Sequence, residues 1–347
     1  MRHWSRARSA SKGCARQHVV PGFTPRPPWP GRCTTKVQDP WLLCRGIRWP
    51  AEPGTPTLVL DDAQGHGHDV PLDPGTELGF TVLPGRWCLG HQLIKDRTHR
   101  TLVPYPSDEK LAAGTQCTRC QSLDESRPMH DFHRSGRAGA GLRDYLGQPH
   151  WLYVATFAHG TTKVGTAAGP SKWRRLAEQG AITARYIAWC PDGAAVRILE
   201  DLATAELGLT QQVRAASKAR GLLENAVGIA ELEALNAAAA AEARTLLSGL
   251  DAGILAGSYV VEETWEAPEQ GRELLAGFDA HLLQPYPEYL SHGQHGFVVH
   301  SISGQVLGVG LLGQPETFVA NAALLKGRKL LFGTYVTEPP AVQGALF

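Results

Sequence analysis

The feature that most constrains this chain is a stretch that carries cysteines where it lacks a core. Between residues 84 and 150 apolar runs are scarce, yet Cys88-Leu89-Gly90-His91 and Cys117-Thr118-Arg119-Cys120 both fall there. Each is a pair at x2 spacing, short enough for one knuckle to turn back and offer two ligands. Zinc takes four soft or borderline donors in a tetrahedron, and Cys88, His91, Cys117 and Cys120 make an ordinary Cys3His set. His130 and His133 follow at H-x2-H spacing, and either could replace His91. Four protein ligands fill the shell, so the expected zinc is structural, supplying the binding energy that a missing core cannot.

Seven cysteines without the apolar core of a signal peptide argue for thiols or a metal rather than a disulfide framework, and for a cytoplasmic protein. Cys14, Cys33 and Cys44 have no partner at ligand spacing, and Cys190 ends an expected strand as a buried thiol. His66 and His68 beside Asp61 and Asp62 read as a solvated turn.

At 347 residues, 43% hydrophobic and 19% charged, the chain has material for two or three globular domains. No run approaches the roughly 18 apolar residues of a membrane span, so no membrane partner is expected. Residues 1–40 hold eight Lys/Arg against one acid, and the cluster Pro25, Pro27, Pro28, Pro30 forbids a regular helix or central strand. They read as a disordered extension or one that follows from a start codon placed too early. The formal charge of +1 hides a net of +6 over residues 81–200 and of −8 over 201–347. A nucleic-acid partner would therefore meet the 81–200 region.

Apolar patterning reads as an α+β chain. A β segment with a zinc-ribbon-like site spans 41–150, with strands at 41–44, 57–60 and 78–83. A module of hairpin and helices with a helical extension spans 151–250, and a small β-rich segment spans 251–347. Within the module, residues 151–157 and 162–165 form a hairpin. A helix runs from Ser171, its expected N-cap, to Gly180, a strand covers 184–189, and Asp192 caps the next helix. Further helices are expected at 210–226 and 229–250, and strands at 296–302, 305–312 and 329–334. Gly308-Val309-Gly310-Leu311-Leu312-Gly313 has the letters of a nucleotide fingerprint, but Pro315 follows where a helix should open, so these glycines read as turns of a β segment.

The module also carries chemistry. Tyr153 lies on the first strand, Lys163 on the second, Arg174 and Arg175 on the following helix, and Glu200 on the next helix. A phenol that activates water, a cation that balances phosphate charge and a carboxylate that holds a divalent ion are what metal-assisted phosphodiester cleavage needs. The same residues equally describe a tyrosine in a sheet and solvated charges on helices.

Leu152-Tyr153, then Lys163-Val164-Gly165, Arg175 and Glu178-Gln179-Gly180-Ala181, resemble the bacterial domain-of-unknown-function family 2797 (DUF2797). Leu176 stands where that family has tryptophan. The family has paired cysteines of a zinc site upstream, as Cys88 and Cys117-x2-Cys120 are here, and a C-terminal segment like Leu307–Gln314. The similarity spans roughly 44–335 and is sharpest over 151–181. More distantly, the module is similar to the GIY-YIG nucleases. Trp151-Leu152-Tyr153 stands at G-I-Y and Lys163-Val164-Gly165 at Y-I-G, Arg175 matches the helix arginine, and Glu200 matches the metal-binding glutamate by topology. The resemblance implies Tyr153, Lys163, Arg175 and Glu200 as the site, with Mg²⁺ or Mn²⁺ at Glu200. Lys163 replaces the second motif tyrosine; an ammonium suits phosphate binding but not phenol chemistry. No position is matched to the terminal asparagine, Asn225 included. Two functions are thus expected: a zinc-containing protein that cleaves nucleic acid, or a non-catalytic adaptor that binds nucleic acid or protein.

Overall fold

The computed structural model describes residues 41–104, 110–224, 227–255 and 257–339; the 1–40 extension, with Cys14 and Cys33, and Asn225 lie outside the described residues. The first strands are β1 (Trp41–Arg48), β2 (Thr57–Asp61), β3 (Val70–Pro71), β4 (Glu77–Val82), β5 (His91–Ile94) and β6 (Arg100–Val103). Short helices α1 (Thr118–Leu123), α2 (Phe132–Ser135) and α3 (Ala140–Leu146) precede β7 (His150–Thr156), β8 (Thr162–Ala168), α4 (Lys172–Gln179), β9 (Thr183–Cys190) and α5 (Gly193–Leu207). Then come α6 (Ala215–Glu224), α7 (Ile229–Ser248), α8 (Ala252–Leu255), β10 (Tyr259–Thr264), α9 (Arg272–Asp279) and β11 (Gln284–Pro285). Strands β12 (Gly293–Ser303), β13 (Val306–Gly310), β14 (Thr317–Asn321) and β15 (Lys329–Phe332) close the chain. The protein is α+β, and among the described residues no helix is long and apolar enough to cross a membrane.

Two ends of the chain build one sheet. Its nine strands run β11-β14-β13-β12-β4-β15-β1-β2-β3. This corrects the division that set 41–150 apart from 251–347: β4 lies between β12 and β15, with Phe80 opposite both His295 and Phe332. The strand at 78–83 shows why alternation is legible but partner choice is not. Leu78, Phe80 and Val82 point inward as a period-2 pattern requires, and that pattern is silent about which strand lies alongside. Gly308 and Gly310 fall within β13, which corrects their reading as turns; Gly313, at a φ of +74°, does stand in a turn, and the next element is β14 rather than a helix.

The second sheet, ordered β10-β9-β7-β8, is the hairpin module. Its hairpin pairs Tyr153 with Gly165 and Ala155 with Lys163, and β9 runs antiparallel to β7 on the other side. Helix α4 ends at Gly180, whose left-handed φ of +66° closes the last turn. Asp192 caps α5 as expected, its side chain accepting from the N–H groups of Ala194 and Ala195. Ser171 does not cap α4; its hydroxyl donates to the Ala168 carbonyl instead. Helix α6 starts only at Ala215, because Thr210 pairs with Lys163 and its carbonyl accepts from Val164 N–H.

Each face of this sheet is covered. Leu152, Val154, Val164 and Ile187 pack on Val196, Leu199, Ala240 and Leu247 of α5 and α7. Tyr153, Ala155, Ala167 and Tyr186 join Leu176 of α4 in a core shared with Phe80, Phe297 and Leu330 of the larger sheet. At about 25 cal/mol per Å² of apolar area, burial on both faces dominates the stability of this module.

Candidate functional site

Cys88, Cys117 and Cys120 come together: their sulfurs lie within 4.8 Å of one another, and all three residues are buried. Tetrahedral ligation at about 2.3 Å per bond sets sulfurs about 3.8 Å apart, so the spacing fits a metal ion. Local backbone makes the knuckles. The N–H of Gly90 donates to Cys88 Sγ at 3.4 Å, that of Cys117 to the same sulfur at 3.2 Å, and that of Cys120 to Cys117 Sγ at 3.5 Å. Gly90 holds a φ of +81°, and a Cβ there would stand 1.9 Å from the Val103 carbonyl oxygen. Both facts require glycine at the turn. Without a cation, burial and then the neighbouring Cys88 and Cys117 push the Cys120 thiol up to about 12. Three thiols so placed become ligands only when a cation offsets that cost.

His91 falls outside this triplet, though its Nδ1 is buried without a hydrogen-bond partner. The alternative ligands turn elsewhere. His130 Nδ1 lies 3.2 Å from an Arg197 nitrogen, and His133 Nε2 lies 2.8 Å from Asp201 Oδ2, so both belong to the contact of 127–135 with α5. Cys44 and Cys190 are free buried thiols, raised by burial to about 12 and about 11. His66 Nδ1 and His68 Nε2 each lie 3.1 Å from Asp62, on an exposed turn.

The other expected residues lie on the hairpin module, but three of the four are closed off. Tyr153 is fully buried, and its hydroxyl accepts a hydrogen bond from Gln179 Nε2 at 2.6 Å. Gly165 makes room for the ring, since a Cβ there would lie 2.5 Å from the tyrosine oxygen. Lys163 is 5% exposed, donates to the Gln211 carbonyl at 3.2 Å and lies 5.6 Å from the Tyr153 ring centroid. Glu200 is 3% exposed and paired with Arg197 at 2.5 Å. Burial pushes its carboxyl above the usual range, while Arg197 and Lys163 pull it down. Arg175 is exposed and forms no ion pair among the described residues.

Sequence reasoning missed three partners. Gln179 holds the Tyr153 hydroxyl, Arg197 holds Glu200, and Lys218 on α6 donates to the Gln179 carbonyl at 2.8 Å while lying 4.2 Å from the Phe157 ring centroid. Lys218 had a legible signal: it occupies the apolar stripe of α6 between Ala215 and Leu222, where a cation needs a reason. Burial, then Lys163 and Arg175, push Lys218 down to about 7.

No family model matches the chain, and neither a curated protein nor a solved structure matches it significantly.

Proposed function

We propose that the protein is a zinc-holding nucleic-acid-binding protein that grips the phosphate backbone without cutting it. The carrying observation is a cationic cluster of exposed Arg175 and cavity-lining Lys218, to which Lys163 adds charge from beneath the 209–214 segment; none of the three has a carboxylate within ion-pair distance among the described residues. Unpaired cations held close together, at some cost in stability, fit a polyanion that neutralises them. The three clustered thiols suit zinc, with His91 as the fourth ligand. The net of +6 over 81–200 against −8 over 201–347 favours contact through the 81–200 residues, which Lys218 joins from α6 through the Gln179 carbonyl. Binding rather than cleavage is favoured because Tyr153 is buried and Glu200 is occupied by Arg197.

The test is fluorescence anisotropy with labelled single- and double-stranded DNA and RNA between 50 and 200 mM salt. Affinity should fall with salt, need no Mg²⁺ and yield no product; salt-independent binding, or none, refutes the proposal. A second reading, divalent-metal-assisted cleavage, is favoured by one observation. Tyr153, Lys163, Arg175 and Glu200 sit on consecutive elements of a hairpin–helix–strand–helix order, as the GIY-YIG resemblance implies. Mg²⁺- or Mn²⁺-dependent product that disappears in Glu200→Ala would establish it.

A further inference from the structure

Beside the cationic cluster, a cavity of about 160 Å³ opens between α4, α6 and the β12–β13 turn; Glu178, Gln179, Lys218 and Ser303 are polar groups on a lining that is otherwise largely apolar, with Ile182 and Leu222 among its members. It is smaller than the roughly 300–1,000 Å³ of pockets that enclose a whole organic ligand. One phosphoryl group fits such a volume, while a nucleoside attached to it remains outside. Lys218 has three donors, of which the Gln179 carbonyl takes one, and its ammonium rests on the Phe157 ring. The Ser303 hydroxyl, at the end of β12, makes no hydrogen bond among the described residues and offers a second donor. The carboxylate on this wall, Glu178, is already engaged by Arg174 at 3.4 Å, and burial pushes it upward. Lys163 and Arg175 add positive charge from β8 and α4, and His159, itself pushed down by burial and by Lys218, stands on the hairpin turn. A singly charged diester deep in a strand has no free end to insert, whereas a phosphate monoester carries more charge and protrudes.

We propose that Lys218 and Ser303 form a subsite for a phosphate monoester, so that the protein prefers nucleic-acid strands with a terminal phosphate. This rests on the nucleic-acid reading above for the source of the phosphate, but not for the chemistry of the subsite. An ammonium–phosphate contact in a half-buried site is worth about tenfold or more in affinity.

The experiment compares a 12-nucleotide single strand bearing a 5′- or 3′-phosphate with the same strand ending in hydroxyls, and uses inorganic phosphate and a mononucleoside monophosphate as competitors. Wild type should bind one phosphorylated strand about tenfold more tightly. Lys218→Met, which keeps the stem over Phe157, should abolish that increment, and Lys218→Arg should retain most of it. Melting curves confirm that both variants fold. Equal affinity for all strands, or an increment that survives in Lys218→Met, overturns the subsite while leaving the nucleic-acid reading intact. Lys218-dependent binding of inorganic phosphate or of the mononucleotide, with no strand bound at all, supports the subsite and refutes that reading.

Discussion

Arg197 and Glu200 decide between two views of the same carboxylate, and their burial fixes what its loss should cost. The side chains are 15% and 4% exposed and meet at 2.5 Å, so neither is screened by bulk water. Arg197→Met removes the cation and leaves a buried charge whose nearest remaining compensation is Lys163. Breaking a buried pair in this way costs about 3–5 kcal/mol, and the residual Lys163 sets the expectation at the lower end, about 3 kcal/mol. At about 2–4 °C per kcal/mol for a chain of this order of size, the melting temperature should drop by roughly 6–12 °C. Glu200→Gln should cost about 1 kcal/mol, because the amide still accepts from Arg197. The pH dependence has a definite sign. Burial raises the folded carboxyl above its ordinary 4.5, so the folded chain holds this proton longer than the unfolded one. Its contribution to stability therefore declines as pH rises above about 4.5 and levels off above the folded pKa. Arg197 pulls that pKa down, so its removal widens the window, and the deficit of Arg197→Met should shrink as pH falls toward 4.5. Differential scanning fluorimetry at pH 4.5, 6 and 7.5, with and without 5 mM Mg²⁺, reads all of this. A loss under about 1 kcal/mol with no pH trend would refute the buried-pair account. Mg²⁺ stabilisation of wild type but not of Glu200→Gln would show the carboxylate free to hold a cation.

Purified protein should release one zinc per chain to a thiol-reactive reagent, and Cys117→Ser should lose the metal and expose residues 84–135 to protease while leaving the hairpin module resistant; a protein that retains its fold there without metal refutes the role assigned to Cys88, Cys117 and Cys120. Gly165→Ala places a methyl carbon 2.5 Å from the Tyr153 oxygen and should destabilise the protein by about 1–3 kcal/mol in a melt; an unchanged melting temperature would mean that the ring swings aside. Lys218, pushed down to about 7 by burial and its cationic neighbours, binds its proton less well in the folded chain than at its ordinary 10.5. Its unfavourable contribution is full below about pH 7 and fades as pH rises toward 10.5, so Lys218→Met should raise the melting temperature more at pH 6.5 than at pH 9.5.

The parts of the fold legible in the sequence are those governed by local rules. Short apolar runs set apart by Gly and Pro marked β1, β2 and β4, the cap at Asp192 and the left-handed Gly180 bounded α5 and α4, and Pro315 argued against a helix opening directly after the glycine run. What escaped was set by distant partners. Nothing in Glu77–Val82 announces that it will pair with residues 293–298 and 330–332, because a period-2 pattern fixes which face is buried and not which distant strand lies alongside. Cys117 and Cys120 were legible as a pair because x2 spacing is a local device, whereas Cys88 joins them from 29 residues away and its own x2 partner, His91, stays outside the triplet; the histidine was ambiguous because three candidates met the same spacing rule. Arg197 lay one helical turn before Glu200, within reach of an i,i+3 reading, and its effect on the expected metal ligand follows from burial that sequence does not print.

Lys163 occupies the place at which the GIY-YIG resemblance sets a second tyrosine, and its surroundings predict what it can do. Its amine is covered by the extended chain at 209–214, which Thr210 ties to β8 through the Val164 N–H bond, and Gln211 caps it. A phosphate reaching Lys163 must first displace that segment; a phosphate reaching Arg175 displaces only water, because Arg175 is exposed. The two cations should therefore separate in a salt titration. Arg175→Ala should lower the slope of log K against log salt by about one and weaken all sequences alike. Lys163→Met should leave the slope nearly unchanged while loosening the 209–214 segment, seen as faster amide exchange at Val164. A loss of about one unit of slope in Lys163→Met, with exchange at Val164 unaltered, would place the backbone directly on Lys163 and refute the closed site.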